Sequence, residues 1–270
     1  MVSAPPMSIT APPQAAPDHV VVLPAEPNGR PTLYWSDTHL GHARILTHCH
    51  RPFASVGAMD AHLVAALVAA DASGSRIVHA GDLAWGGWRT QWATLPPLDG
   101  ADHHLLLLGN HDAALDVPGE AVGAVAVAGR WPLREVDRTR DDPSTWPLLS
   151  EPIAPRPPGD WHHWFGRIVG DGHRGEYARY GVLLDDTLDG VTVRVLVTHA
   201  PARTLVGGAT INVHGHLHDN VDRAPAAHRA AYPWLFGSPA HVNASVERTG
   251  YQPRTLQWLV DAQRARGGVP

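Results

Sequence analysis

Leu33-Tyr34-Trp35-Ser36-Asp37-Thr38-His39 is a compact apolar run that stops abruptly at a carboxylate and, two positions on, an imidazole. Such a run reads as a buried strand emptying into a polar loop. The pattern recurs twice: Arg76 to His79 leads to Gly81-Asp82, and His103 to Leu108 leads to Gly109-Asn110-His111-Asp112. Between the first two, Val56 to Ala72 carries Met59, Leu63, Ala66, Leu67 and Ala70 at the spacing of an amphipathic helix, which returns the chain to the same sheet edge. Three strand ends that each deliver a metal-type residue imply loops gathered at the carboxyl edge of a sheet, where α/β proteins bind ligands. Trp85, Trp88, Trp92 and Leu95 form a second helical stripe, better suited to core packing than to ligand stacking.

Further along, Tyr177 to Leu184 and Val191 to Thr198 are strand-like runs joined by a segment containing Asp189-Gly190, a hairpin signal. The second run ends at His199. Ile211 to His214 feeds Gly215-His216-Leu217-His218, His241 to Val246 reads as a short strand, and Thr255 to Val260 as a terminal strand or helix. Prolines interrupt every candidate element from Trp131 to about Gly175, a stretch read as an insertion that could lie over the site as a lid. Residues 1–31 are rich in alanine and proline and read as a flexible tail, or as an arm docking through Val20 to Leu23. Residues 32–270 then form a single domain.

Composition narrows the function. The net charge is -5 and the chain has no lysine, which disfavours binding of an extended nucleic-acid duplex but not of a short or terminal phosphate. The single cysteine, Cys49, excludes an internal disulfide framework and a CxxC zinc site, and reads as a small buried apolar residue. No apolar stretch approaches the ~20 residues that span a bilayer, and no signal segment opens the chain, so a soluble, cytoplasmic protein without membrane contact is expected.

Two divalent ions held about 3.5–4 Å apart require anionic charge between them. Asp82, alone at its strand end, is the candidate bridge. Asp37 and His39 can turn towards one ion across a tight loop, and His216 and His218 have the same alternate spacing. Imidazoles suit Mn, Fe, Zn or Ni better than a site for Mg alone. Asp37 or Asp82 could singly be a helix cap, and Asn110 a turn residue. Together with His199 they describe a two-metal site, and two metals imply phosphoester hydrolysis.

In these blocks the chain resembles the calcineurin-like metallophosphoesterases, whose ordered pattern DxH, GD, GNH[D/E], H and GHxH appears from Asp37 to His218. It is most similar to their small bacterial and phage branch, through Ser36 to His42, Arg51-Pro52-Phe53, Gly81-Asp82-Leu83-Ala84, Gly109 to Asp112 and Asn243-Ala244-Ser245-Val246-Glu247. The serine/threonine protein phosphatases differ, with Asp-Arg-Gly where this chain has Trp85-Gly86-Gly87. The resemblance implies an α/β fold, a two-sheet β-sandwich flanked by helices, with the dinuclear site at strand ends. It implies one metal held by Asp37, His39, Asp82 and His218 and a second by Asp82, Asn110, His199 and His216, manganese being the first expectation. The substrate is then a phosphodiester or phosphomonoester, attacked by a hydroxide between the metals.

The resemblance also makes His111 the catalytic histidine, with Asp112 orienting it or capping a following helix. His42 and His214 would orient ligands, while Arg44 and Arg51 would contact substrate phosphate or form structural ion pairs. The branch often has SHYP where this chain has Thr198-His199-Ala200-Pro201, so the substrate does not carry over. Two other functions compete: a non-catalytic metal-binding scaffold, and a nuclease acting on ends or single strands with bases stacked on the tryptophan-rich insertion. A metallo-β-lactamase-type hydrolase is disfavoured, because its HxHxDH run is missing.

Overall fold

The computed structural model describes residues 17, 19–23, 29–85, 88, 91, 94–100, 103–112, 164–165, 167–169, 180–236 and 238–266. Among them, ten strands form two mixed five-stranded sheets. One has the order β1 (His19–Val22), β6 (Tyr180–Leu188), β7 (Val191–Thr198), β8 (Ile211–His214), β9 (His241–Asn243). The other has the order β10 (Arg254–Thr255), β2 (Thr32–Trp35), β3 (Arg76–His79), β4 (Leu105–Leu107), β5 (Arg167–Val169). β2 to β5 run parallel to one another, as do β7, β8 and β9. A parallel bridge between Ser36 and Ser245 joins the ends of β2 and β9, so the loops after both sets of strands open on one shared edge.

The parallel strands are apolar on both faces because both faces are covered. Tyr34, Val78, Leu105 and Leu107 pack against Val182, Leu184, Val195, Val197 and Val213 of the other sheet. Their sequence neighbours Trp35, Ile77 and Leu106 point the opposite way and pack with Met59, Leu63 and Leu67 of the helix Val56–Ala72. That helix starts where the Ser55 side chain accepts from Ala58 N (3.1 Å), and it stops at Ser73-Gly74, where Gly74 takes φ 74°. Two of its carboxylates pin loops: Asp60 accepts from Gly41 N and Trp88 Nε1, and Asp71 from Asp99 N, Gly100 N and His104 Nε2. Leu63 is fully buried between this helix and the sheet. Leu63→Ala should therefore cost about 2–5 kcal/mol in a urea unfolding curve, and a loss below about 1 kcal/mol would mean the helix is not packed as described.

The hairpin is as expected, with Asp189 (φ 50°) and Gly190 (φ 76°) at its turn, as a primed turn requires. Thr255 to Val260 resolves mainly to helix, Leu256–Ala265, opened by Thr255 Oγ1 accepting from Trp258 N. Cys49 is buried, and among the described residues no helix is long and apolar enough to cross a membrane.

Of the two readings of residues 1–31, the docking arm holds where residues are described: His19–Val22 is a strand pairing in parallel with β6, and Val20, Val21 and Leu23 are buried. Other expectations need correction. The strand expected over His241 to Val246 stops at Asn243, whose Oδ1 accepts from Ser245 N (2.9 Å) and turns the chain into the single helical turn Val246–Thr249. The insertion at about 131–175 contains β5, and its Trp164 and Phe165 are core residues, with Trp164 Nε1 donating to Pro96 O (2.9 Å). That pair is no surface for stacking bases. The lid itself lies outside the described residues. Of the tryptophan stripe, Trp88 is buried, Trp85 is half-buried beside the site described below, and Trp92 lies outside the described residues.

Candidate metal centre

The loops after β2, β3, β4, β7 and β8 bring all seven expected ligands to one place. Asp82 Oδ2 lies at the middle, 3.5 Å from His39 Nε2 and 3.4 Å from His199 Nε2. On the His39 side, His218 Nε2 is 3.8 Å from Asp37 Oδ1, and the His39 and His218 rings stack with centroids 5.2 Å apart. On the His199 side, Asn110 Oδ1 lies 3.0 Å from His199 Nε2 and 3.1 Å from His216 Nδ1. The donor atoms of Asp37, His39 and His218 lie within 4.8 Å of one another, as do those of Asp82, His199 and His216.

These loops fold around the side chains rather than for backbone comfort. Asp37, His39, Asp82, His216 and His218 all have left-handed backbone, φ between 50° and 68°, a conformation costing roughly 1–2 kcal/mol per non-glycine residue. Compact polar groups offset it. The Asp37 carboxylate accepts from His216 N (3.1 and 3.0 Å) and Ser245 Oγ (2.9 Å), and Asp82 Oδ1 accepts from His111 N (2.8 Å). Gly81, at φ 101°, has no room for a side chain, since a Cβ there would lie 2.8 Å from Gly109 N.

One observation tests whether these residues suit metal ions. His39 Nε2 is buried with no hydrogen-bond partner among the described residues, facing Asp82 Oδ2 across a gap too long for a good hydrogen bond. A buried polar atom left in that state is costly, and a cation between the two would satisfy both. The mixed carboxylate, amide and imidazole set suits Mn, Fe, Zn or Ni. The residues fit the group.

Protons occupy part of that role when metal is absent. Burial lowers the His199 pKa, but the Asp82 carboxylate more than offsets this and pushes it up to about 9. Both ring nitrogens have acceptors, Ala80 O at Nδ1 and Asn110 Oδ1 at Nε2, as an imidazolium would use them. His218 is likewise raised: burial opposes it, while Glu247 and Asp37 favour the charged form. His39 and His216 are lowered, chiefly by burial, and are neutral near pH 7.

Metal ligation needs neutral imidazole. Metal binding at pH 7 should thus expel protons, visible as a calorimetric heat that changes with the buffer's ionisation enthalpy, and affinity should climb as pH rises towards 9. The stability that charged His199 gives the metal-free protein has the opposite trend: it is present below the unfolded pKa and lost as pH rises through about 9. A metal affinity flat from pH 6 to 9 would contradict this electrostatic arrangement.

The remaining expected residues divide. His111 is at the rim, its side chain 30% exposed and Nε2 3.9 Å from Asp82 Oδ2. His42 stands beside His39 (Nδ1 to Nδ1 3.4 Å) and stacks on Trp85, which also touches His111. Arg44 is exposed, and no contact among the described residues ties its side chain to the site. His214 is buried with Nδ1 3.0 Å from Gly215 O, outside the ligand groups.

Asp112 does other work than orienting His111, and Arg51 follows the ion-pair reading rather than the substrate one. Asp112 accepts from the backbone N–H groups of Asp82, Leu83 and Gly109 (2.7, 2.7 and 2.6 Å), stapling two ligand loops together, and does not contact the His111 ring. The cap of a following helix lies outside the described residues. Arg51 is buried, not on a substrate surface: it donates to Asp37 O (2.6 Å) and Thr38 O (2.7 Å) and pairs with Glu247 (2.7 Å).

Sequence reasoning missed Glu247, whose Oε1 lies 3.1 Å from His218 Nδ1 and orients that ring. It also missed Ser245, Asn243, which donates to His218 O (2.8 Å), and His79, 3.0 Å from Thr38 Oγ1. The signal for three of them was the Asn243 to Glu247 block, noted as a motif without roles. No family model and no curated protein matches the chain. Among solved structures, a protein of unknown function from Aquifex aeolicus aligns over 84% of this chain and 96% of its own, at 17% identity and a TM-score of 0.44, too loose a likeness to bear on fold or activity.

Proposed function

We propose that the chain is a calcineurin-like, metal-dependent phosphoesterase acting on phosphomonoesters or phosphodiesters. The observation that carries this reading is the central position of Asp82, one carboxylate oxygen 3.5 Å from His39 Nε2 and 3.4 Å from His199 Nε2, between two sets of metal-type donors. Asp37, His39, Asp82 and His218 would hold one ion and Asp82, Asn110, His199 and His216 the other. The chemistry that two such ions would supply is a lowered pKa of water near neutral pH and an offset of charge on the phosphoryl oxygens.

The chain's own residues orient and protonate. Glu247, accepting from His218 Nδ1, directs Nε2 of that ring towards Asp37. Ala80 O does the same for His199, accepting at Nδ1 and leaving Nε2 to face Asp82. His111 is lowered from its usual pKa, first by burial, and is held between Asp82 and Trp85. Its Nε2 is the atom that would donate to a phosphoryl or leaving oxygen, an effect typically worth roughly 10²–10⁴-fold in rate.

Manganese-loaded protein should cleave bis-p-nitrophenyl phosphate or p-nitrophenyl phosphate, and His111→Ala should lower kcat by about 10²–10⁴-fold with metal content unchanged. Equal rates in variant and parent remove His111 from the chemistry. Retained metal with no turnover on either ester or on labelled single strands favours a scaffold and overturns the proposal.

A further inference from the structure

A second cavity, of about 120 Å³, is lined by His214 and Asn243 at the ends of β8 and β9 but by none of the seven expected metal ligands. Arg229, Arg248 and Arg266 face it, and Asp222, paired with Arg248 Nη1, is the one carboxylate among its described lining residues. The cations are held in place. Arg266 Nη2 donates to Arg248 O (2.9 Å), and Arg229 Nη2 donates to Val221 O and Asp222 O (3.0 and 2.9 Å).

Two polar atoms of this lining are buried with no hydrogen-bond partner among the described residues: Arg248 Nε and His241 Nδ1. The Arg248 side chain is only 10% exposed, and the pairing with Asp222 leaves its Nε–H unused. His241 Nε2 lies 2.8 Å from Ala202 O, so that nitrogen carries the proton and Nδ1 is an acceptor. A buried guanidinium donor and a buried imidazole acceptor on the lining of one cavity cost free energy unless a guest satisfies them. A water could serve these two atoms, but three arginines against one carboxylate favour a guest that is anionic, small, rich in acceptor oxygens and able to offer one O–H. Hydrogen phosphate has all four properties, whereas a carboxylate or halide lacks the O–H donor.

We propose that this cavity is a binding site for inorganic phosphate, distinct from the metal centre and independent of the reaction assigned to it. Arg248 Nε and Arg266 grip the oxyanion, and His241 Nδ1 accepts from its hydroxyl. The site adjoins the metal centre covalently, since Arg248 follows Glu247, and Asn243, which lines the cavity, donates to His218 O.

The test is a calorimetric titration of the full chain with inorganic phosphate after chelation, so that bound metal cannot contribute a second phosphate site. Saturable binding of one phosphate is expected, weakened at least about tenfold by Arg248→Gln and by Arg266→Gln, and unchanged by His111→Ala. Should Arg248→Gln not fold, the exposed Arg266→Gln decides. Crystals soaked in arsenate, which like phosphate keeps an O–H near neutral pH, should show an anomalous peak within hydrogen-bond reach of Arg248 Nε. No saturable binding, the same affinity in Arg266→Gln, an equal response to acetate, or water alone in the cavity would each overturn the proposal.

Discussion

Asp82→Asn should lower kcat on p-nitrophenyl esters by more than about a hundredfold, the upper end of what loss of a mere outer-sphere partner costs. The carboxamide has nearly the same shape, and Asp82 N keeps its bond to Asp112 (2.7 Å), so the loop should stay folded. What disappears is the anionic charge at the carboxylate oxygen that lies close to both His39 and His199. Bound metal, measured by elemental analysis on desalted protein, should fall from about two ions per chain to one or none, with an unchanged circular dichroism spectrum. A variant that keeps both ions and its turnover would show that Asp82 is not shared between them.

Gly215→Ala should be nearly as damaging, for a reason of volume rather than charge. A Cβ at Gly215 would overlap Ser36 Oγ and Asp37 Oδ2, and Ser36 is fixed by its bridge to Ser245. The clash can be relieved only by moving the Asp37 carboxylate or the loop carrying His216 and His218, whose backbone Gly215 N anchors on His199 O (2.9 Å). The expected result is a stability loss of about 1–3 kcal/mol from overpacking together with metal affinity weakened by at least about tenfold. Affinity equal to the parent would mean that the Asp37 and His216 loops do not pack as tightly as described.

The parts of this arrangement that were legible in the sequence are those written in local patterns. β2, β3 and β4 and the helix Val56–Ala72 follow from short apolar runs and helical spacing, and the gathering of the polar residues around Asp82 follows from their placement at the ends of those runs. The parts that were not legible depend on partners far away along the chain. Val20 to Leu23 could be read as a docking segment but its partner could not: His19–Val22 lies on the edge of β6, some 160 residues later by the pairing of His19 with Tyr180. An ion pair was one reading of Arg51, but not that Glu247 and the Asp37 and Thr38 carbonyls would surround it. Asp112 reads as a partner of its neighbour His111, yet three backbone N–H groups, two of them from the Asp82-Leu83 loop, claim both its oxygens. At His241 to Val246 the apolar alternation was real, but the Asn243 side chain competes with the ladder for the backbone and ends the strand.

The central claim is that one buried aspartate is common to two cation sites. Diffraction from crystals of the manganese-loaded chain, recorded on both sides of the manganese absorption edge, tests it most directly. The account predicts two anomalous peaks about 3.5–4 Å apart, one bounded by Asp37, His39, Asp82 and His218, the other by Asp82, Asn110, His199 and His216. A single peak, or none among these side chains, would contradict it.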